Sequence, residues 1–168
     1  MSLIPAIKNV AAELRIPAEW LYNVIRMESN FNPFARNAVS GARGLLQFTN
    51  KTSRLLGYAS ADELVSRYPD FLSQLYGPVR AYFSLPSARG PYPSKQSFYM
   101  AVFLPSFRAS PPSAPFPPAV VNANPGIRSP ADYIARADRS GSVTNVFLTV
   151  SILTAIGAAW YLSHKGRE

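Results

Sequence analysis

The chain has 168 residues and a formal charge of +8, enough for one compact domain with an appendage. It contains no cysteine, which excludes disulfides, thiolate nucleophiles and cysteine metal sites. Its one histidine is His164, four residues from the C-terminus, so a Ser-His-Asp triad or a His-based zinc site in the main domain is excluded as well.

Acid–base chemistry is therefore left to carboxylates, lysines and tyrosines, and neither a metal nor a cofactor is expected. Residues 1–140 hold 15 Lys/Arg against 8 Asp/Glu. The excess is spread along the chain, which suits any polyanion or a merely solvated surface. No helix concentrates it into a groove-reading element, so nucleic acid is not expected as a partner.

In chain order, Ile7, Val10, Ala11 and Leu14 recur at i, i+3, i+4 and i+7 and predict one buried helix stripe. The pattern breaks at Ile16-Pro17, where proline suits the first turn of a new helix. On that helix Leu21, Val24, Ile25 and Glu28 repeat the spacing, with a glutamate where an apolar residue belongs. Breaks of a local rule tend to fall at functional sites. Asn32-Pro33 should end the helix, since the residue before proline avoids helical geometry.

A further helix is predicted from about Thr49 to Leu56, stopping at Gly57. Ser60-Ala61-Asp62-Glu63 reads as a capping box. Leu72, Leu75, Tyr76, Val79, Tyr82 and Phe83 form a stripe on the next helix, bent at Pro78. Gln96 to Leu104 is apolar nearly all round and so belongs at the centre. No run alternates at period two, so the fold class is mainly α.

Residues 105–130 hold eight of the sixteen prolines. Phe107, Phe116, Val120, Val121 and Ile127 interleave them, which predicts an ordered wrap over the helical body. Ser129-Pro130-Ala131-Asp132 is a helix start, with a serine cap and proline at the first position. Residues 143–163 carry no charge over 21 positions, include Trp160-Tyr161, and precede His164, Lys165 and Arg167. That is long enough to cross a bilayer core, so a single-pass C-terminal anchor in lipid is expected. Ser151, Ala155, Ala159 and Ser163 place small side chains on one face of it, which predicts self-association. The expected division is 1–104 as the main domain, 105–140 as a Pro-rich extension with a short helix, 143–163 as the membrane helix and 164–168 as a basic tail.

Glu28 is the best candidate for an acid. Flanked by Val24, Ile25 and Phe31, it would be partly desolvated, which raises a carboxyl pKa and keeps the proton near neutral pH. The bland reading is a helix-end glutamate reaching solvent. Most glycosidases pair two carboxylates, but the nearest acids in sequence are Glu19 and Asp62, which points to a one-carboxylate mechanism.

Glu28-Ser29, followed by Gly41-Ala42-Arg43-Gly44-Leu45-Leu46-Gln47, resembles the first two motifs of the lytic transglycosylases, with their goose-lysozyme-like catalytic domain. Asn30, Phe31, Asn32, Pro33, Ala35, Asn37 and Ser40 agree with that family between the motifs. The resemblance covers roughly residues 15–105 and implies a lysozyme-like helical fold acting on peptidoglycan glycan strands. It implies Glu28 as acid and then base, activating the substrate's own C6 hydroxyl and leaving a 1,6-anhydromuramoyl product. It also implies substrate contacts from Ser29, Gly44, Leu45 and Gln47, with the glycines letting backbone approach the sugar.

The third motif departs from the family. Where Ala-Tyr-Asn-Ala-Gly is usual, this chain reads Ser97-Phe98-Tyr99-Met100-Ala101-Val102-Phe103. Tyr99 or Phe103 is left for the aromatic role, and Tyr99 for polarising the glutamate. No signal peptide is visible in Met1 to Pro17, so delivery to the wall in a bacteriophage virion is expected, with a host wall-remodelling enzyme as the alternative. A catalytically silent protein that keeps the fold for glycan binding or assembly is the competing class.

Overall fold

A computed structural model of the chain describes residues 3–139. The expected membrane helix at 143–163, its small-residue face and the basic tail lie outside the described residues. Among the described residues no helix is long and apolar enough to cross a membrane. Those residues form a mainly α-helical domain without strands.

Helix α1 (Leu3–Glu13) buries Ala6, Ile7, Val10 and Ala11, the stripe its spacing predicts, with Leu14 just past its end. Helix α2 (Ala18–Ser29) buries Leu21, Val24 and Ile25 on the face that packs against α1. Pro17 precedes the first turn of α2 as its cap rather than lying inside it. The end of α2 differs from expectation. Asn30 (φ 50°) and Phe31 (φ 62°) turn left-handed, and the Asn30 N–H donates to the Arg26 carbonyl at 2.8 Å. An αL cap thus stops the helix before Pro33 can.

Helix α3 (Asn50–Leu55) is capped by the Thr49 side chain, and α4 (Ala61–Arg67) by Ser60. The capping box of α4 is only half formed: Glu63 Oε2 accepts from the Ala59 N–H at 2.6 Å rather than from that of Ser60. The stripe from Leu72 to Phe83 runs through α5 (Phe71–Gln74), a π turn (Leu75–Val79) and α6 (Arg80–Tyr82). Pro78 sits inside the π turn. It has no N–H to offer the ladder, so the helix widens there instead of breaking.

Helix α7 (Lys95–Phe103) is the centre of the domain. Phe98, Tyr99, Met100 and Ala101 are consecutive and wholly buried, as a helix with neighbours on every side requires. Burying each large side chain of this kind contributes roughly 1.5–3 kcal/mol. Phe98 stacks on Phe83 at 5.2 Å and meets Tyr92 edge-on at 5.2 Å.

The Pro-rich stretch is ordered and lies against the helices. Prolines supply no N–H, so aromatic rings anchor it: Phe116 packs between Phe103 (5.5 Å) and Phe107 (4.9 Å). Two long-range backbone bonds hold its ends, Phe116 N–H to the Arg128 carbonyl at 2.7 Å and Ala131 N–H to that of Pro112 at 2.9 Å. After the short α8 (Pro118–Ala123), the chain enters α9 (Pro130–Arg139), where Ser129 Oγ accepts from the Asp132 N–H. Helix α9 packs on α2 and α7 and buries Tyr133 and Ala137 against them.

Candidate active site

Helix α2 ends at the wall of a cleft of about 620 Å³, and Glu28, on its last turn, lines that cleft. Glu28 as a whole residue is half-buried, and its carboxyl lies at the buried end of the side chain. Gln47, Phe48, Tyr82, Val102 and Phe103 share the lining with it. Among the described residues Glu28 is the sole carboxylate in the lining, and Lys51 the sole cation.

Tyr133 of α9 donates its hydroxyl hydrogen to Glu28 Oε1 at 2.7 Å. Burial pushes the Glu28 pKa up to about 6, while the Tyr133 hydrogen bond and the positive charge of Arg136 hold it back. The Tyr133 phenol is itself pushed well up, by burial first and by Glu28 second. It therefore remains a donor throughout the pH range in which Glu28 titrates. The ring is fixed by Phe103 at 4.5 Å and Tyr99 at 6.1 Å.

The loop from Ala35 to Phe48 folds back on itself through short antiparallel bridges, Arg36 to Arg43 and Arg43 to Phe48. Its second turn needs left-handed backbone at Gly44 (φ 75°) and Gln47 (φ 50°). A non-glycine residue in that region costs on the order of 1 kcal/mol and persists only where neighbours enforce it. The turn brings Gln47 to the cleft, with its Nε2 donating to the Gly44 carbonyl at 3.1 Å.

Gln74, wholly buried on α5, holds the loop from behind. Its Oε1 accepts from the Leu45 N–H at 3.0 Å, and its Nε2 donates to the carbonyls of Pro33 (2.7 Å) and Tyr68 (2.9 Å). A Cβ on Gly44 would lie 2.6 Å from Gln74 Oε1. The close approach and the left-handed backbone at this position both call for glycine. Leu45 is wholly buried in the core. Ser29 is also buried, and its Oγ donates to the Ile25 carbonyl at 2.9 Å within its own helix.

Of the residues expected from sequence, Glu28 and Gln47 meet in the cleft. Ser29, Gly44 and Leu45 stand behind it as support. Tyr99 is wholly buried, and its hydroxyl donates to Asp138 Oδ1 at 3.1 Å rather than to Glu28. Phe103 reaches the lining, and the hydroxyl on the glutamate comes from Tyr133. Neither Tyr133 nor Gln74 was singled out by sequence reasoning. The signal for Tyr133 was the spacing Pro130, Tyr133, Ala137 on a helix whose start was already visible. Among the described residues no cluster of His, Asp or Glu is placed to hold a metal ion.

Residues 5–79 match the protein-family model described as Transglycosylase SLT domain. This stretch is an SLT transglycosylase domain. Such a domain is that of an enzyme, a lytic transglycosylase, and peptidoglycan is the substrate it implies. No curated protein and no solved structure matches the chain. Glu28, Gln47 and Gln74 fall within the SLT domain match, whereas Phe103 and Tyr133, which touch each other beside the acid, fall after it.

Proposed function

We propose that the protein cleaves the β-1,4 bond between N-acetylmuramic acid and N-acetylglucosamine in peptidoglycan strands, using Glu28 alone and leaving 1,6-anhydro ends. The observation that carries this reading is the Glu28 carboxyl, alone of its kind in the cleft lining among the described residues, with its pKa raised to about 6. A protonated Glu28 gives its proton to the leaving glycosidic oxygen as the sugar gains positive charge. The resulting carboxylate then takes the proton of the C6 hydroxyl as that oxygen closes on the anomeric carbon. One group serves in both steps because it is regenerated protonated. A pKa close to neutral suits both directions of transfer. The Tyr133 hydroxyl stabilises the carboxylate in between.

Mass spectrometry of the products from purified peptidoglycan tests this reading. Anhydro ends are expected, and hydrated reducing ends would show a hydrolase instead.

The same reading attaches the protein to a lipid membrane through residues 143–163, lets it self-associate through the small residues there, and delivers it to the wall in a phage particle. The uncharged run and the basic residues after it support the attachment to lipid. Co-sedimentation of the full chain with lipid vesicles is the test of attachment.

A further inference from the structure

Helix α9 contributes no residue to the cleft lining, yet it carries the hydroxyl that touches the acid. What fixes α9 is concentrated one turn beyond Tyr133. Asp138 Oδ1 accepts from the Tyr99 hydroxyl at 3.1 Å and from Asn23 Nδ2 at 3.3 Å, and its Oδ2 pairs with Lys95 Nζ at 2.8 Å. These partners come from α2, which carries Glu28, and from α7, which carries the Tyr99 and Phe103 rings beside Tyr133. Arg26 Nη2 adds a bond to the Ala137 carbonyl at 3.4 Å. Asn23 and Tyr99 are both buried, so without Asp138 their polar groups on this side would lose an acceptor.

We propose that Asp138 is a positioning residue for Glu28: it latches α9 onto α2 and α7 and so keeps Tyr133 on the acid and water away from it. It does not touch the cleft. Its effect passes through the helix, with the Tyr133 ring held between Tyr99 and Phe103 and its hydroxyl on the carboxyl. The charged and titratable groups acting on Glu28 are Tyr133 and Arg136 from α9 and Tyr82 from α6, and Lys51 of α3 lines the same cleft. Of these, Tyr133 and Arg136 move with α9. Undocking would remove their support for the carboxylate, but it would also open Glu28 to water. Burial is the largest cause of the raised pKa, so the net movement is downward, toward the ordinary carboxylate range.

The proposal rests on Glu28 as the acid of the reading above. Its test is a carbon NMR titration of the Glu28 carboxyl, which reports docking whether or not the protein cleaves glycan, so the two can fail separately. Asp138→Ala should lower the Glu28 midpoint from about 6 by one unit or more and speed hydrogen exchange of the α9 amides. In turnover it should reduce kcat while leaving KM near its original value, since the lining is intact. Asp138→Asn keeps an acceptor for Tyr99 and Asn23 and should restore the midpoint. Should Asp138→Ala fail to fold, Tyr99→Phe decides: it keeps the buried ring, removes one donor, and should move the midpoint the same way by a smaller amount. A midpoint that stays at about 6 in a folded Asp138→Ala protein, or in Tyr99→Phe where that variant decides, would overturn the proposal.

Discussion

The oxygens of Tyr133 and Glu28 lie 2.7 Å apart although 105 positions separate the two residues in the chain. The bond favours the charged carboxyl, so it works against the burial that keeps the proton on. Tyr133→Phe removes the donor and leaves the ring packed on Phe103, so burial is retained. The Glu28 pKa should then rise above about 6, and the fall of kcat/KM with increasing pH should shift to higher pH by about one unit. A pH profile of kcat/KM for the variant beside the unsubstituted protein measures this. An unmoved profile would contradict the role given to the hydroxyl.

A raised carboxyl pKa also has a consequence for stability. Between the ordinary value of 4.5 and about 6 the folded state binds more protons at Glu28 than the unfolded state does. Stability therefore falls as pH rises through that window, and the loss is complete above it, at most about 2 kcal/mol. Glu28→Gln removes the titration while keeping an acceptor for Tyr133. It should be more stable than the unsubstituted protein at pH 7, by up to about 2 kcal/mol, with the difference fading below pH 4.5. Urea unfolding at pH 4 and pH 7 measures the change.

Gln74 is a third site at which one side chain decides the shape of the cleft. Gln74→Leu would leave the Leu45 N–H and the carbonyls of Pro33 and Tyr68 without their partner, at a cost of roughly 3 kcal/mol. Gly44→Val meets Gln74 from the other side and strains a φ of 75° as well. Both variants should lower the thermal midpoint and the activity together. Gly44→Val with an unchanged melting curve would show that the loop does not pack as described.

Gln47→Ala should behave differently. Its side chain lines the cleft and its one protein bond is to a carbonyl in its own turn. Turnover on peptidoglycan should fall about tenfold, the worth of one hydrogen bond to substrate. The thermal midpoint should stay within a few degrees. Equal losses of stability and activity would place Gln47 with the supporting residues instead.

The helices were legible in the sequence wherever one face repeats at the helical period, as with Ile7 to Ala11 and Leu21 to Glu28. The acid was legible for the same reason, as a glutamate in an apolar row. What escaped was set by contacts between distant segments. The glycine at 44 reads from sequence as close approach of backbone to sugar, and the buried glutamine thirty positions later that also packs against it is invisible to local spacing. Tyr99 sits where the family resemblance expects a tyrosine for the glutamate, yet the chain turns its hydroxyl to Asp138. Tyr133 replaces it through a helix that packs across α2 and α7, which no local spacing encodes. Asn32-Pro33 predicts the end of α2 because the residue before proline avoids helical geometry, whereas Asn30 ends it earlier by adopting αL backbone.

Purified peptidoglycan digested in parallel by the unsubstituted protein and by Glu28→Gln, with the released muropeptides analysed by mass spectrometry, bears most directly on Glu28 as the acid. Anhydromuropeptides should appear with the former and be lost with the latter, while the circular dichroism of the two proteins stays the same. Continued release by a folded Glu28→Gln protein would contradict the assignment and move the chemistry to another group.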